Sequence, residues 1–362
     1  MSSVDVGDRA AAGTLGGEGR SPFRDAVVTL KHGAGGVAMR RLIETLFVPD
    51  MPDIGHHQIG LRQLDDGAAL RVGCEWLVFT TDSHVVHPIF FPGGDIGRLA
   101  VTGTVNDLAV MGATVPLALA LGVVVEEGFP MVDLARIQDS IRAACLESGA
   151  PVVTGDTKVM GRGEMDGIVL STTGVALTRT VVTDAGLREG DRIVVSGTIG
   201  DHGIALMALR HGLDLGGGLR SDVAPINGLL HRALSVAPGA VHAMKDPTRG
   251  GLSGALHEMA AKSGVEILID EPEVPVSEPV RSAAEILGLD PFHIANEGKV
   301  VIGVAADAVT EVLDALRGHP LGAAAAAIGI CRSGTPGRVV LDTGLGRRLL
   351  PEIEGEPLPR IC

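Results

Sequence analysis

Apolar runs and helix-spaced segments alternate along nearly the whole chain, and a chain with that rhythm buries its apolar faces by laying helices on sheets. Val27 to Leu30 reads as a short strand. It is followed by the glycine-rich Lys31-His32-Gly33-Ala34-Gly35-Gly36 and a helix with Met39, Leu42, Ile43 and Leu46 on one face. Leu77 to Thr81 is a strand that delivers Asp82 at its end, and Ile96 to Met111 has helical spacing. Leu134, Ile137, Ile141 and Cys145 define an amphipathic helix, which makes Cys145 a core residue. Pro151 to Thr154 is a strand ending at Gly155-Asp156, and Ile168 to Ala176 closes this half as an alternating strand.

A break falls near Thr183 to Gly190, and Asp191 to Gly197 opens a new strand. A helical stretch from His202 to His211 follows, then a polar loop at Leu215 to Asp222 and the loop Lys245 to Gly251. A helix runs on to Lys262, with strands around Val265 to Ile269 and Lys299 to Val304. The expected organisation is an extension at 1–24 without fixed structure, α+β (α/β) domains at 25–185 and 186–345, and a flexible tail at 346–362. No short-period repeat of the solenoid kind is present.

The 51 glycines and the 2% of aromatic residues mean that the core is built from Ala, Val, Leu and Ile. A formal net charge of -14 argues against nucleic acid as a partner, because phosphate backbones are bound by clustered Lys and Arg. The cysteines, Cys74, Cys145, Cys331 and Cys362, form no C-x-x-C pair, which removes the usual zinc and disulfide frameworks and points to a reducing cytoplasm. The first residues lack the apolar stretch of a signal peptide. Leu108 to Val125 carries no charge but contains Gly112, Pro116 and Gly122, and reads as a helix end, a turn and a buried strand rather than a membrane span.

The segment Pro351 to Cys362 is too broken by Pro and Gly to be helical, and it ends on a thiol. Extended, it reaches roughly 40 Å at about 3.3 Å per residue, enough to carry a covalent group between sites. A frayed end that happens to finish in Cys is the alternative. Prenylation requires the Cys four residues from the end, so it fits worse.

Acidic residues recur after apolar runs or in glycine-rich turns: Asp65-Asp66-Gly67-Ala68, Asp82, Asn106-Asp107 and Gly155-Asp156-Thr157-Lys158. Such carboxylates at one sheet edge could hold Mg-ATP, with Lys158 offsetting phosphate charge; each alone also reads as a turn or cap residue. No P-loop motif is present. Gly33-Ala34-Gly35-Gly36 can serve as a phosphate-covering strip, and Asp246-Pro247-Thr248-Arg249-Gly250-Gly251 as an anion-meeting loop before a helix.

These segments, together with Leu30-Lys31-His32, Thr81-Asp82-Ser83-His84-Val85-Val86, Val105 to Ala113 and the Pro-Arg-Ile-Cys end, resemble in order the HypE carbamoyl dehydratases of [NiFe] hydrogenase maturation. That family belongs to the PurM-like superfamily of aminoimidazole ribonucleotide synthetase, with selenophosphate synthetase and thiamine monophosphate kinase. The acidic and glycine-rich motifs point to the superfamily, and the terminal Cys selects HypE within it.

The resemblance implies a two-domain PurM-like fold, a homodimer paired through the N-terminal sheets, and Mg-ATP bound near that interface. It implies the carbamoyltransferase HypF and the HypC-HypD complex as partners, and neither nucleic acid nor membrane. Cys362 would carry a carbamoyl group, ATP would drive its dehydration to a thiocyanate, and the cyanide would pass to iron. By motif match, Asp65, Asp66, Asp82, Asn106, Asp107, Gly155, Asp156, Thr157 and Lys158 would serve the nucleotide. Asp65, Asp82, Asp107 and Asp156 would hold metal, while Glu297 would accept protons and Lys158 assist catalysis. The α-carboxylate beside the Cys362 thiol raises its pKa above about 8.5, and Arg360 pulls the other way. His293 is expected to be structural, and Lys31 is left without a role.

A phosphotransferase of the same superfamily is the rival enzyme reading. Selenophosphate synthetase would carry Cys or selenocysteine in the glycine-rich arm, where this chain has none, and thiamine monophosphate kinase would have no use for Cys362. A nucleotide-binding scaffold without turnover is the rival from another class.

Overall fold

The computed structural model describes residues 25–52, 54–55, 58–213, 218–354 and 360–362. The expected extension at 1–24, part of the glycine-rich loop after Leu215 and the stretch 355–359 of the tail lie outside the described residues.

The first domain opens with α1 (Gly36–Leu42) and continues through β1 (Ala68–Val72), β2 (Glu75–His84) and the small hairpin β3 (Phe90–Phe91) and β4 (Gly94–Asp95). Then come α2 (Ile96–Val110), β5 (Pro116–Glu126), α3 (Met131–Ser148), β6 (Val152–Met160) and β7 (Ile168–Thr178). Its five-stranded sheet has the order β1-β2-β7-β5-β6, with β5 and β6 the parallel pair joined across α3.

Helix α2 packs on β2, β7 and α3. Asp95 caps it, accepting the amides of Gly97 at 2.9 Å and Arg98 at 3.0 Å, while Ser140 of α3 donates to the same carboxylate at 2.5 Å. The helix is apolar all round because it is covered on every side, by the sheet, by α3 and by the second domain.

The second domain comprises β8 (Arg192–Val195), α4 (Asp201–Arg210), α5 (Asn227–Val236), β9 (Val241–Lys245), α6 (Gly251–Ser263), β10 (Glu266–Asp270) and α7 (Glu278–Leu287). It ends with β11 (Val301–Val304), α8 (Val309–Arg317), β12 (Ala326–Arg332), β13 (Val339–Asp342) and β14 (Arg347–Leu349). The seven-stranded sheet, ordered β14-β13-β10-β12-β8-β11-β9, carries cores on both faces. Period-two alternation sends Ile193, Val195 and Val301 to the α6 side and Val194 and Ile302 to the α5 and α8 side.

Four sequence expectations are corrected. Residues 27–30 form no strand: Thr29 and His32 exchange backbone and side-chain hydrogen bonds that close a 3-10 turn at Leu30–Gly33. Asp82 lies inside its strand, because β2 stays paired with β7 as far as His84. Likewise β6 does not stop at Thr154 but runs to Met160 on its ladder with β5; Gly155 permits this, since a Cβ there would collide with the Leu121 carbonyl. The tail is not free from 346, since β14 pairs with β13 and the base that follows is held at several points. The Leu108 to Val125 stretch divides as expected, although β5 is half-buried with one face open. Among the described residues no helix is long and apolar enough to cross a membrane.

Candidate active site

Acidic side chains from both domains converge where the end of α2 meets β9 and the loop after it. Thr80 of β2 places its hydroxyl 2.9 Å from the Asp66 carbonyl and 2.9 Å from Asp107 Oδ2. One proton cannot serve both at full strength, so a protonated Asp107 would complete the set by donating back. Burial, then the charges of Asp246, Asp82 and Asp66, raise the Asp107 pKa well above the carboxylate range. Asp246 is pushed up to about 8 by burial and by Asp66.

Asp82 lies on the same strand face as His84, at 3.2 Å, and both lie against Gly103 of α2, where an added Cβ would sit 2.9 Å from His84 Nε2. Burial opposes ionisation of Asp82, but His84 and Arg249 outweigh it and hold the carboxyl below its ordinary value.

Lys245 is the cationic centre. It contacts Asp66 at 2.5 Å, Glu258 at 3.3 Å and Asp184 at 3.5 Å. Lys262 of α6 adds 2.6 Å to Asp184 and 2.5 Å to the Leu64 carbonyl. The loop carrying Asp65 and Asp66 is thereby fastened to the second domain. Asp65 itself pins that loop, its oxygens accepting the amides of Asp66 at 3.0 Å and Asp184 at 3.3 Å; burial and the charges of Asp184 and Asp66 move its pKa to about 7. Those bonds give Asp65 a turn-residue role in this chain.

Asn106 bridges the two domains. Its amide donates to the carbonyls of Ala224 and Glu297 at 3.1 Å each, and its oxygen accepts the Ile226 amide at 2.9 Å. These bonds join α2 to the second domain.

Glu297 is 3% exposed, and its Oε1 is buried with no hydrogen-bond partner. Burial, then Asp246, Asp222 and Asp82, raise its proton affinity well above normal. Its loop is braced by Asn296, which donates to the Pro247 carbonyl at 3.1 Å and accepts the Gly200 amide at 2.7 Å. Asp246 and Glu297 are thus carried on cross-linked loops. From the other side the glycine-rich arm approaches Arg249 so closely that a Cβ on Gly35 would stand 2.8 Å from the Arg249 Cβ. Gly35 also has φ 83°, a conformation that glycine adopts without strain.

Residues 360–362 run beside this basin, with the Val85 amide donating to the backbone oxygen of Cys362 at 3.4 Å. Cys362 packs against the cluster that joins the two domains. Arg360 gives its guanidinium to Asp166 and the Val85 carbonyl.

Gly155, Asp156, Thr157 and Lys158 are not brought to the basin of their own chain. Asp82 pairs with Thr172, Thr172 with Leu121 and Leu121 with Gly155. Three strand spacings of about 4.8 Å therefore separate them, about 14 Å across the sheet. All nine residues of β6 are exposed, and Lys158 contacts Asp156 at 2.9 Å.

The four-aspartate metal set is thus not assembled within one chain, and among the described residues no three His, Cys, Asp or Glu side chains form a closed coordination group. The donor chemistry nevertheless suits magnesium, which takes one or two carboxylates and completes its shell with phosphate and water. Asp66 Oδ2 is buried without a partner, the charge of Asp246 raises the proton affinity of Asp107, and those of Asp66 and Asp82 raise that of Asp246, a crowding of acids that a bound cation would relieve.

Sequence reasoning missed Lys245, Lys262, Asp184 and Glu258, and treated Asp246 only as part of an anion-meeting loop. The signal for His84 was its two-residue spacing from Asp82 on a strand.

Residues 64–178 match the AIR synthase related protein N-terminal domain, and residues 188–342 match its C-terminal domain. The carbamoyl dehydratase HypE of Azotobacter vinelandii is 45% identical over 346 residues, covering 95% of this chain and 99% of that protein. A chain in the crystal structure of a HypE-HypF complex is 40% identical with a TM-score of 0.80, covering 86% of this chain and 99% of the other. HypE crystallised in complex with ATP is 40% identical with a TM-score of 0.76, covering 93% of this chain and 100% of the other. Built of two PurM-like domains closed around a shared acidic basin, the chain belongs to the HypE family of carbamoyl dehydratases.

Proposed function

We propose that this protein uses ATP to take water from a carbamoyl group on the sulfur of Cys362, leaving a thiocyanate whose cyanide becomes a ligand of the iron in [NiFe] hydrogenase. The observation that carries the reading is the insertion of residues 360–362 beside the strand bearing Asp82 and His84.

An amide oxygen is a poor leaving group, and phosphorylation makes it a good one. The carbamoyl oxygen attacks the γ-phosphorus and ADP departs; one nitrogen proton is lost as the carbon-nitrogen double bond forms. The second is lost as phosphate leaves and the nitrile closes. Glu297 is the proposed acceptor of the first of these protons, buried, with high proton affinity and an unpaired oxygen, and the departing phosphate carries away the second. Asp66, Asp82, Asp107 and Asp246 would hold magnesium, which neutralises phosphate charge when bound with the nucleotide. Arg249 and the amides of Gly33 to Gly36 are suited to meet the phosphates.

The exposed β6 edge supports a homodimer in which Gly155 to Lys158 of one copy serve the basin of the other. HypF would load the carbamoyl group, the HypC-HypD complex would receive the cyanide, and the cytoplasm is the setting for both. Intact mass, followed after carbamoylation and again after Mg-ATP, tests the reading. An adduct that loses one water in the wild type and never forms on Cys362→Ala is expected; an adduct that persists under ATP would overturn it.

A further inference from the structure

The groove holding residues 360–362 reads them mainly through their backbone. On one side the His87 amide donates to the Arg360 carbonyl at 3.1 Å and the Val85 amide to the backbone oxygen of Cys362 at 3.4 Å, the alternation of an antiparallel pair. On the other side α4 offers donors two turns apart: Arg210 Nη2 lies 2.6 Å from the Arg360 carbonyl and His202 Nε2 lies 2.8 Å from that of Ile361. Arg210 Nε also donates to the His87 carbonyl at 2.7 Å, tying tail and strand extension together.

The tautomer of His202 follows from its partners. A carbonyl only accepts, so Nε2 carries the proton. Ser221 Oγ lies 2.8 Å from Nδ1 and accepts the Val223 amide at 3.1 Å, which leaves its own proton for Nδ1. The ring is fully buried and meets Phe91 edge-on, with centroids 5.5 Å apart and planes at 88°. Burial lowers its pKa, which keeps it in the neutral form this pairing uses.

Ile361 is 2% exposed in the cluster containing Val86, Ile204, Val223, Val280 and Ile294. Arg360 has φ 57°, an uncommon conformation for a residue with a Cβ, and the docked contacts must hold it there.

We propose that His202 is a positioning residue for the chemistry at Cys362: oriented by Ser221, it fixes the Ile361 carbonyl and so sets where the next sulfur stands against the acidic basin. The proposal rests on Cys362 being the carrier, but its first test does not. The rate at which iodoacetamide alkylates Cys362, read from the mass of the peptide containing it, reports how long the residue stays docked. His202→Leu removes the donor and should raise that rate about tenfold, and His202→Gln, which offers an amide N–H, should recover most of the protection.

Ser221→Ala leaves the imidazole in place but frees its tautomer, and should give a smaller rise of the same sign; it serves if His202→Leu fails to fold. Dehydration of the carbamoylated protein under Mg-ATP should slow by a similar factor in His202→Leu while carbamoylation yield stays at the wild-type level. An unchanged alkylation rate in both His202→Leu and Ser221→Ala overturns the docking role. Faster alkylation with unchanged dehydration overturns the positioning role. If the wild type accepts no carbamoyl group, the proposed function fails by itself, and the reactive half of this proposal fails with it.

Discussion

Lys245 of β9 and Asp66, in the loop before β1, meet at 2.5 Å across the boundary between the two domains. Both are nearly buried, and Glu258 and Asp184 share the ammonium group. Breaking a buried pair strands its partner, at a cost of about 3–5 kcal/mol. Lys245→Met should therefore lower the melting temperature by several degrees, and adding Asp66→Asn should recover part of the loss. Thermal denaturation of the two variants checks this; equal melting of the single and double variants would mean that the pair is not coupled.

Asp65 and Asp246 titrate in the folded protein at about 7 and about 8, both above the ordinary carboxylate value. Between an unfolded pKa of about 4 and these values the folded state holds protons that the unfolded chain has released. Stability should then fall by about 1.4 kcal/mol per pH unit per group as pH rises through that window. Magnesium with nucleotide should reverse the trend, so the rise in melting temperature on adding Mg-ATP should be larger at pH 8 than at pH 5.5. A rise independent of pH would remove Asp246 from the binding site.

Glu297→Gln keeps the shape of the side chain and discards the proton acceptor. Carbamoylation of Cys362 should proceed, while water loss under Mg-ATP should slow on the order of 10² to 10⁴-fold. Intact mass separates the steps, and normal dehydration in the variant would exclude Glu297 from the proton transfers.

Lys158 stands on the far edge of its own sheet, so its service in a homodimer is expected in the other copy. Mixing Lys158→Ala with Cys362→Ala should restore dehydration: about half of randomly exchanged dimers are mixed and each holds one complete site, giving roughly a quarter of wild-type turnover. No recovery after subunit exchange would show that Lys158 acts within its own chain.

The sheet-and-helix architecture was legible because α3 and β7 carry clean periodicity, helical in the one and alternating in the other. Segment ends were less so. Gly155-Asp156-Thr157 has turn composition, yet the β5 ladder carries it as strand, and nothing local to a sequence reports a partner strand. Of the candidate site, Asp66, Asp82 and Asp107 do converge, because α2, which bears Asp107, packs on β2, which bears Asp82, and Thr80 of β2 bonds both Asp66 and Asp107. Asp65 and Asn106 share those motifs but spend their polar atoms on backbone groups. Lys245, His202 and Arg210 gave no signal, since their partners come from segments far away in the chain and several are main-chain carbonyls.

Helix α2 belongs to two cores at once: Leu99, Val101 and Val105 lie in one cluster with residues of the second domain, and Ala109 and Val110 lie in another. The boundary between the two family domains is therefore no boundary for folding. A fragment ending near residue 185 would present this helix to water along its uncovered side, so heat should melt the chain as one calorimetric unit and the halves should be recoverable only when produced together.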